Sequence, residues 1–94
     1  MTRARHSLHK VTMRQLQMFI VAAETLSFQR AAERLELSPP AVSMQMSRLG
    51  EELGTALFEK KGRQVALTSA GEALLPYARR ITQLLLEASE IIET

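Results

Sequence analysis

The sequence predicts a mainly α-helical domain that contains one small β-hairpin and ends in a long helix. Three observations predict this fold class. Apolar residues recur at helical spacing in four stretches, each behind a residue that can cap a helix. A further stretch around Gly62 has the partly alternating pattern of a hairpin. Hydrophobic residues make up 46% of the chain and aromatic residues only 4%, which favours helices over a sandwich of sheets.

Composition limits the classes of function. The 94 residues suffice for one domain with a modest core. Cysteine is absent from the sequence, which excludes disulfides and thiolate metal sites. There is no aspartate, no glycine-rich phosphate loop and no convincing carboxylate pair, so we expect neither an enzyme nor a metal site. No apolar run is long enough to span a membrane, so no membrane partner is expected.

Charge is unevenly distributed along the chain. Residues 1–80 hold all 12 Lys and Arg against 7 Glu, which gives +5, whereas residues 81–94 hold 3 Glu and no basic residue, which gives −3. The body of the domain is therefore basic and its C-terminal end acidic. This distribution favours a polyanionic partner for the body alone, although an ordinary solvated surface would also fit it.

Residues 1–11 are predicted to be a disordered basic arm, because they contain Arg3, Arg5 and Lys10 and no regular apolar period. Such an arm would contact phosphates nonspecifically or serve only as a solubilising tail. The first helix is predicted to follow, from a cap at Thr12 to about residue 24. Its capping box pairs Thr12 with Gln15. Its buried face is predicted to consist of Leu16, Phe19, Ile20 and Ala23.

The second and third helices are joined by only two or three residues. Ser27 and Ser38 are their predicted caps, and we expect the helices at residues 28–35 and 38–53. Two adjacent alanines in the second helix allow another helix to pass closely. Two helices joined so tightly are typical of a helix-turn-helix, although αα-hairpins with other roles share the pattern.

The third helix has two different faces. Pro39 suits its first position, and Gly54 suits the position just beyond its end. One face is apolar and should be buried: Val42, Met46, Leu49 and Leu53. The opposite face is small, polar and weakly charged: Pro40, Ser43, Met44 and Ser47, with Arg48 beside them. A merely solvated helix would more often carry Glu and Lys, so this face indicates close approach to another surface.

A hairpin is predicted after the third helix. Residues 57–60 and 64–67 flank Gly62, which suits the turn. Three cations lie at the tip: Lys60, Lys61 and Arg63. A hairpin directly after a helix-turn-helix is a wing. Its cationic tip suits phosphate or minor-groove contact, although a solvated turn would also carry such charges.

The last helix is predicted from a cap at Thr68 to about Ile92. Apolar residues recur along it at spacings of three and four, which is typical of a coiled-coil seam. The seam contains Leu74, Tyr77, Ile81, Leu84, Ala88 and Ile91, widened by Leu85 and Ile92. This helix is too long for a small body to cover. We expect its far half to pair with a second copy in a twofold dimer, or else with part of a longer chain.

These elements together make a winged helix-turn-helix with a two-stranded wing and a long dimerisation helix. The third helix fits the major groove of double-stranded DNA, where Ser43 and Ser47 would let its backbone approach the bases. The basic body gains affinity by releasing counterions from phosphates. The alternative is a winged-helix protein-interaction module that only docks or dimerises, but its docking face should be more apolar.

Five motifs, in order, resemble the N-terminal DNA-binding domain of LysR-type transcriptional regulators. They are QLQMF at 15–19, SFQRAAERL at 27–35, LSPPAVSMQ at 37–45, LGTALFE at 53–59 and LTSAG at 67–71. The resemblance divides the chain into the arm, a winged helix-turn-helix domain at 12–68 and a linker or dimerisation helix at 69–94. Within the family, SPPAVSMQM and the following wing are similar to regulators of Calvin-cycle carbon-fixation genes.

The resemblance implies which residues contact DNA. Four residues match the recognition-helix motif: Ser38, Pro40, Ser43 and Gln45. Pro39 and Met44 depart from it, because glutamine and a basic residue are common at those two positions. Pro39 cannot hydrogen-bond a base edge, and Met44 offers only apolar contact, so we hypothesise greater reliance on DNA shape and on the wing. The predicted DNA-binding set is Gln29, Arg30, Ser38, Pro39, Pro40, Ser43, Met44, Gln45, Ser47, Arg48, Lys60, Lys61 and Arg63.

The resemblance also implies the partners of the working protein. It would act as a homodimer, or a tetramer at full length, in the bacterial cytoplasm at the nucleoid. It would bind promoter DNA at an interrupted inverted repeat, with RNA polymerase as a further partner. No cofactor is expected within these residues, because the family binds its small-molecule effector in a C-terminal domain, which we expect beyond them.

Overall fold

The computed structural model describes residues 8–93 and confirms the predicted fold class. Four α-helices and a two-stranded antiparallel sheet follow a short 3-10 helix. The elements are the 3-10 helix Leu8–Lys10, α1 Met13–Thr25, α2 Phe28–Leu35, α3 Pro39–Leu53, β1 Phe58–Lys61, β2 Gln64–Leu67 and α4 Ser69–Glu93. None of the helices in the described range is long and apolar enough to cross a membrane.

The N-terminal arm differs in part from its prediction. Leu8–Lys10 form a 3-10 helix, and the N–H group of Val11 donates to the carbonyl oxygen of Leu8 at 3.1 Å. This turn lies against α3. Disorder was therefore the wrong prediction for these three residues, because a turn this short has no apolar period by which a sequence reveals it. Residues 1–7 of the predicted arm lie outside the described residues.

Side-chain caps fix where the first three helices begin. The Oγ1 atom of Thr12 accepts from the N–H group of Gln15 at 3.0 Å, and Gln15 Oε1 accepts from the N–H group of Thr12 at 2.9 Å, so the predicted capping box is present. Ser27 and Ser38 cap α2 and α3 in the same way, through their hydroxyl oxygens. These caps satisfy backbone donors that the helices themselves leave free.

The core forms where α1 meets the other three helices. Of the predicted α1 face, Leu16, Phe19 and Ala23 are buried, whereas Ile20 is only half-buried. Met18 is buried as well, because α1 is covered on one side by α2 and α3 and on another by α4. The largest fully buried side chains are Phe19, Met18, Leu49, Leu57 and Val42.

The wing is seated on the helices at its base. β1 and β2 are antiparallel, and their register pairs Phe58 with Leu67 at one end and Lys61 with Gln64 at the other. This register leaves a two-residue loop that begins at Gly62. The Phe58 ring lies 5.2 Å from the ring of Phe28, edge to face. The N–H group of Val65 donates to the carbonyl oxygen of Leu26, in the α1–α2 turn, at 3.2 Å. The helix-turn-helix and the wing therefore form one body.

The near half of α4 packs on this body, and its far half extends from it. Gly71 is buried, and a Cβ atom there would collide with the carbonyl oxygen of Leu57 and lie 2.8 Å from Leu67 Cδ2. The absence of a side chain at Gly71 therefore lets α4 pack closely against the start and end of the wing. Ala78 is the last buried residue of the 25-residue helix. At about 1.5 Å per residue, the helix projects well beyond the body.

Candidate nucleic-acid interface

The outward face of α3 presents short side chains on a firmly seated helix. Val42, Met46 and Leu49 are buried on the opposite side, so α3 is fixed against the core. The N–H group of Ala41 donates to Ser38 Oγ at 3.3 Å, which holds the start of the helix. The predicted contact face is exposed as expected: Ser38, Pro39, Pro40, Ser43, Met44, Ser47 and Arg48. This face can approach another surface closely.

The start of α2 lies beside α3 and adds two polar side chains. Gln29 and Arg30 are exposed, and the N–H group of Arg30 donates to Ser27 Oγ at 3.1 Å. The turn between the helices is tight, because Glu36 has a φ of 59° and the N–H group of Leu37 donates to the carbonyl oxygen of Ala32 at 2.9 Å. This turn places both helices at one surface.

The wing tip carries three exposed cations: Lys60, Lys61 and Arg63. Gly62 has a φ of 65°, a conformation that favours glycine, and it permits the two-residue loop at the tip. An open cleft of about 610 Å³ separates α3 from the wing, with Ser43 and Ser47 on one wall and Lys60 on the other. The two predicted contact surfaces thus border one cleft.

Most of the basic residues in the described part of the chain are free of ion pairs. Within residues 8–93, the ion pairs join Glu24 to Arg34 at 3.1 Å and to Arg79 at 3.6 Å. Those pairs connect α1 to α2 and α4. The cations on α3 and the wing have no carboxylate partner within the described range, so they are available to phosphate groups.

Gln45 lies differently from the other predicted contact residues. Its side chain is half-buried, and its Oε1 atom accepts from Nε2 of Gln15 at 3.4 Å. Gln15 is itself only 4% exposed. The sequence marks Gln15 only as part of a cap and does not reveal this contact, because residues 30 apart in sequence share no local pattern.

A second cleft, which we call the rim cleft, runs along the edge of α3 beside the start of α1. Its volume is about 430 Å³. Its polar lining includes Lys10, Arg14, Gln15, Gln45, Arg48 and Glu52. Glu52 is 9% exposed, and its Oε1 atom is buried without a hydrogen-bond partner. Arg14 and Glu52 were not predicted as site residues, because no local sequence pattern around either residue indicates a cleft.

The predicted dimerisation residues are mostly exposed on the far half of α4. Tyr77, Ile81, Leu84, Leu85, Ala88 and Ile91 are all exposed. Leu74 differs, because it is half-buried against the domain core. The near half of α4 turns its apolar residues toward the body, and Leu74 belongs to that contact.

Residues 13–72, more than half of the chain, match the family model of the bacterial regulatory helix-turn-helix proteins of the lysR family. The chain belongs to the LysR family. Its winged helix-turn-helix is therefore the sequence-specific DNA-binding domain of a transcriptional regulator. The alternative of a docking module without DNA binding lacks this support.

Curated LysR-family relatives are much longer than this chain. It is 49% identical over 84 residues to the RuBisCO operon transcriptional regulator of Allochromatium vinosum, covering 89% of this chain and 28% of the relative. It is 47% identical over 83 residues to the HTH-type transcriptional regulator CfxR of Cupriavidus necator, covering 88% of this chain and 26% of the relative. The chain thus spans little more than a quarter of their length.

Solved LysR-family domains bound to DNA have the same fold. The CbnR DNA-binding domain in a DNA complex superposes with a TM-score of 0.85 at 38% identity, over 88% of this chain and 95% of that one. The BenM DNA-binding domain in complex with catB site 1 DNA gives a TM-score of 0.83 at 30% identity, over 88% and 89% of the two chains. Both neighbours share the winged architecture and the long last helix.

Proposed function

We propose that this chain is the promoter-recognition module of a LysR-type regulator and that it recognises an interrupted inverted repeat as a homodimer built by α4. The observation that carries the dimer is the exposed apolar stripe on that helix. Tyr77, Ile81, Leu84 and Leu85 are 59%, 43%, 61% and 52% exposed, respectively. A solitary domain rarely leaves so continuous an apolar stripe in water.

A second copy of α4 is a partner with the right shape and charge. A twofold axis pairs the stripe with itself, and each large apolar side chain that becomes fully buried contributes about 1.5–3 kcal/mol. If the two helices run antiparallel, the acidic residues at 81–94 of one copy approach Arg79 and Arg80 of the second copy. The dimer then separates two recognition helices, as two related half-sites require.

Neighbouring leucines offer a matched test of the dimer. Leu85 and Leu86 are both 52% exposed, but only Leu85 lies on the stripe, since successive helical residues point about 100° apart. Leu85→Asp should give a monomer by sedimentation equilibrium and should lose most of the affinity for a duplex with two half-sites. Leu86→Asp should remain dimeric and bind normally. Equal behaviour of the two variants would show that this stripe is not the interface.

We further propose that the whole protein controls carbon-fixation genes in the bacterial cytoplasm. Two of its relatives are named regulators of a RuBisCO operon, one in Allochromatium vinosum and one in Acidithiobacillus ferrooxidans. We assign the effector site and any contact with RNA polymerase to parts of the protein beyond this chain. Sequencing of genomic fragments retained by the dimer tests the target. Enrichment elsewhere than upstream of carbon-fixation genes would overturn this assignment without affecting DNA binding.

A further inference from the structure

The rim cleft lies beside the outward face of α3, away from the wing. Three cations line it from three elements: Lys10 in the 3-10 helix, Arg14 in α1 and Arg48 in α3. With one carboxylate, Glu52, the formal charge of its lining is +3 − 1 = +2. All three cations are exposed, and none has an ion pair within residues 8–93.

The orientation of the Gln15 amide follows from its partners. The backbone N–H group of Thr12 can only donate, so the atom that faces it at 2.9 Å must be the oxygen of Gln15. The Nε2 atom of Gln15 must then point the other way, toward Gln45. Because Gln15 is only 4% exposed and bound at both ends, it cannot readily turn over.

Gln45 is oriented in turn by Gln15. The Nε2 group of Gln15 can only donate, so Gln45 must present its Oε1 atom to it, at 3.4 Å. The Nε2 group of Gln45, with its two N–H donors, is left for whatever enters the cleft. Bidentate recognition of adenine by glutamine uses both ends of the amide, and here the oxygen end already holds a partner.

We propose, on the basis of the DNA-binding function above, that the rim cleft binds one backbone phosphate of each DNA half-site. Gln45 donates to the phosphate from Nε2, and Arg14, Arg48 and Lys10 supply its counter-charge. Gln15 is a positioning residue that holds the Gln45 amide in the donating orientation. Gln45, which matches the recognition motif of the family, therefore fixes the register of α3 on the duplex and does not read a base.

Glu52 disfavours a phosphate in the rim cleft. The residue lines the cleft, and its Oε1 atom is buried without a hydrogen-bond partner. A carboxylate there repels a phosphate. Glu52→Gln removes the negative charge with little change of shape, so it should strengthen binding to any duplex by a similar factor.

A duplex with single methylphosphonate linkages tests the site directly, because each such linkage removes the charge of one phosphate. The wild-type dimer should lose roughly ten-fold in affinity at one particular linkage of each half-site. Arg14→Ala and Gln45→Ala should each weaken binding to the unmodified duplex and lose part of the sensitivity at that linkage, because the other groups of the cleft remain. Arg63→Ala, on the wing, is the matched control and should keep the full sensitivity there.

Salt dependence separates the charged residue from the uncharged ones. Arg14→Ala should reduce the slope of log K against log salt by about 0.9, whereas Gln45→Ala should leave the slope unchanged. Gln15→Met removes the donor to Gln45 without adding a charge to the cleft. It should remain folded by circular dichroism and leave the salt slope unchanged, yet lose part of the sensitivity at the same linkage, which loss of the capping box alone would not produce.

Two outcomes would overturn the phosphate site. One is that Arg14→Ala, which alters only an exposed side chain, keeps the full wild-type sensitivity at every linkage. The other is that Gln45→Ala relaxes the preference at one base pair while it keeps the phosphate sensitivity, which would make Gln45 a base reader. Failure of the wild-type dimer to bind any duplex would instead contradict the proposed function.

Discussion

Met44 is a large apolar side chain on the outward face of α3, and 53% of its surface is exposed. Its neighbours on that face include Ser43 and Ser47, which are short and polar. A methionine side chain cannot donate a hydrogen bond and accepts one only weakly. In the major groove, the apolar group within its reach is the C5-methyl group of thymine. Met44 therefore suits the recognition of a thymine by van der Waals contact.

Replacing thymine by deoxyuracil removes only that methyl group and so tests the contact. At one position in each half-site, the replacement should weaken wild-type binding about four-fold, which corresponds to the free energy of burying roughly one methylene-sized group. Met44→Ala should bind the thymine duplex more weakly and should not distinguish it from the deoxyuracil duplex. Equal sensitivity of the two proteins at every thymine, measured by fluorescence anisotropy, would contradict this role for Met44.

Single residues also show where sequence reasoning stops. The caps at Thr12, Ser27 and Ser38 were predictable, because the residues that form them lie three apart and interact locally. The contact between Gln15 and Gln45 was not, because it depends on how α1 crosses α3. The sequence shows that Gln15 and Gln45 both carry an amide, but only the packing of α1 against α3 shows which end of each amide is already hydrogen-bonded.

At the scale of elements, the wing is rigid at its base and free at its tip. The centroid of the Phe58 ring lies 5.6 Å from that of Phe19 and 5.2 Å from that of Phe28. The N–H group of Thr68 donates to the carbonyl oxygen of Leu57 at 3.0 Å. The residues at the tip are exposed, so their charges stay hydrated in the free protein. Because the base fixes the backbone of the wing, phosphate contacts at the tip require mainly the ordering of long side chains.

The wing makes a prediction that salt titration can check. Arg63→Ala should weaken binding to specific and random duplexes by a similar factor and lower the salt slope by about 0.9, because one phosphate contact is lost. Gln64→Ala, at the next and also exposed position, is the uncharged control and should change neither quantity. If Arg63 enters a narrow minor groove, the loss should instead be greater on duplexes with A-tracts. An unchanged slope would exclude Arg63 from the interface.

Elements were predictable to different degrees. The bounds of α2 and β2 agree with the sequence prediction, and α3 differs from it only in the assignment of the cap residue. These elements begin or end at residues with distinct backbone preferences, such as Ser38, Pro39 and Gly54. The seam on α4 was less well predicted at Leu74, because the heptad spacing continues unbroken from the part that packs on the body to the part that leaves it.

At the scale of the whole molecule, the far half of α4 is separable from the domain. The last buried residue of α4 is Ala78, and every residue after it in the described chain is exposed or half-buried. The ion pair of Arg79 with Glu24, at 3.6 Å, joins α4 to α1 next to Ala78. The far half of the helix adds little to the stability of a single copy.

A chain that ends after Thr82 should therefore fold and melt within a few degrees of the full chain, since it keeps the whole core. It should be monomeric by sedimentation. It should bind a single half-site as strongly as the full chain does, yet gain no added affinity when two half-sites are joined, because two independent copies then bind independently. A loss of folding would show that the far half of α4 supports the domain itself. A dimer that survives the truncation would place the interface on another surface, and the stripe of Leu84 and Leu85 would then need a different partner.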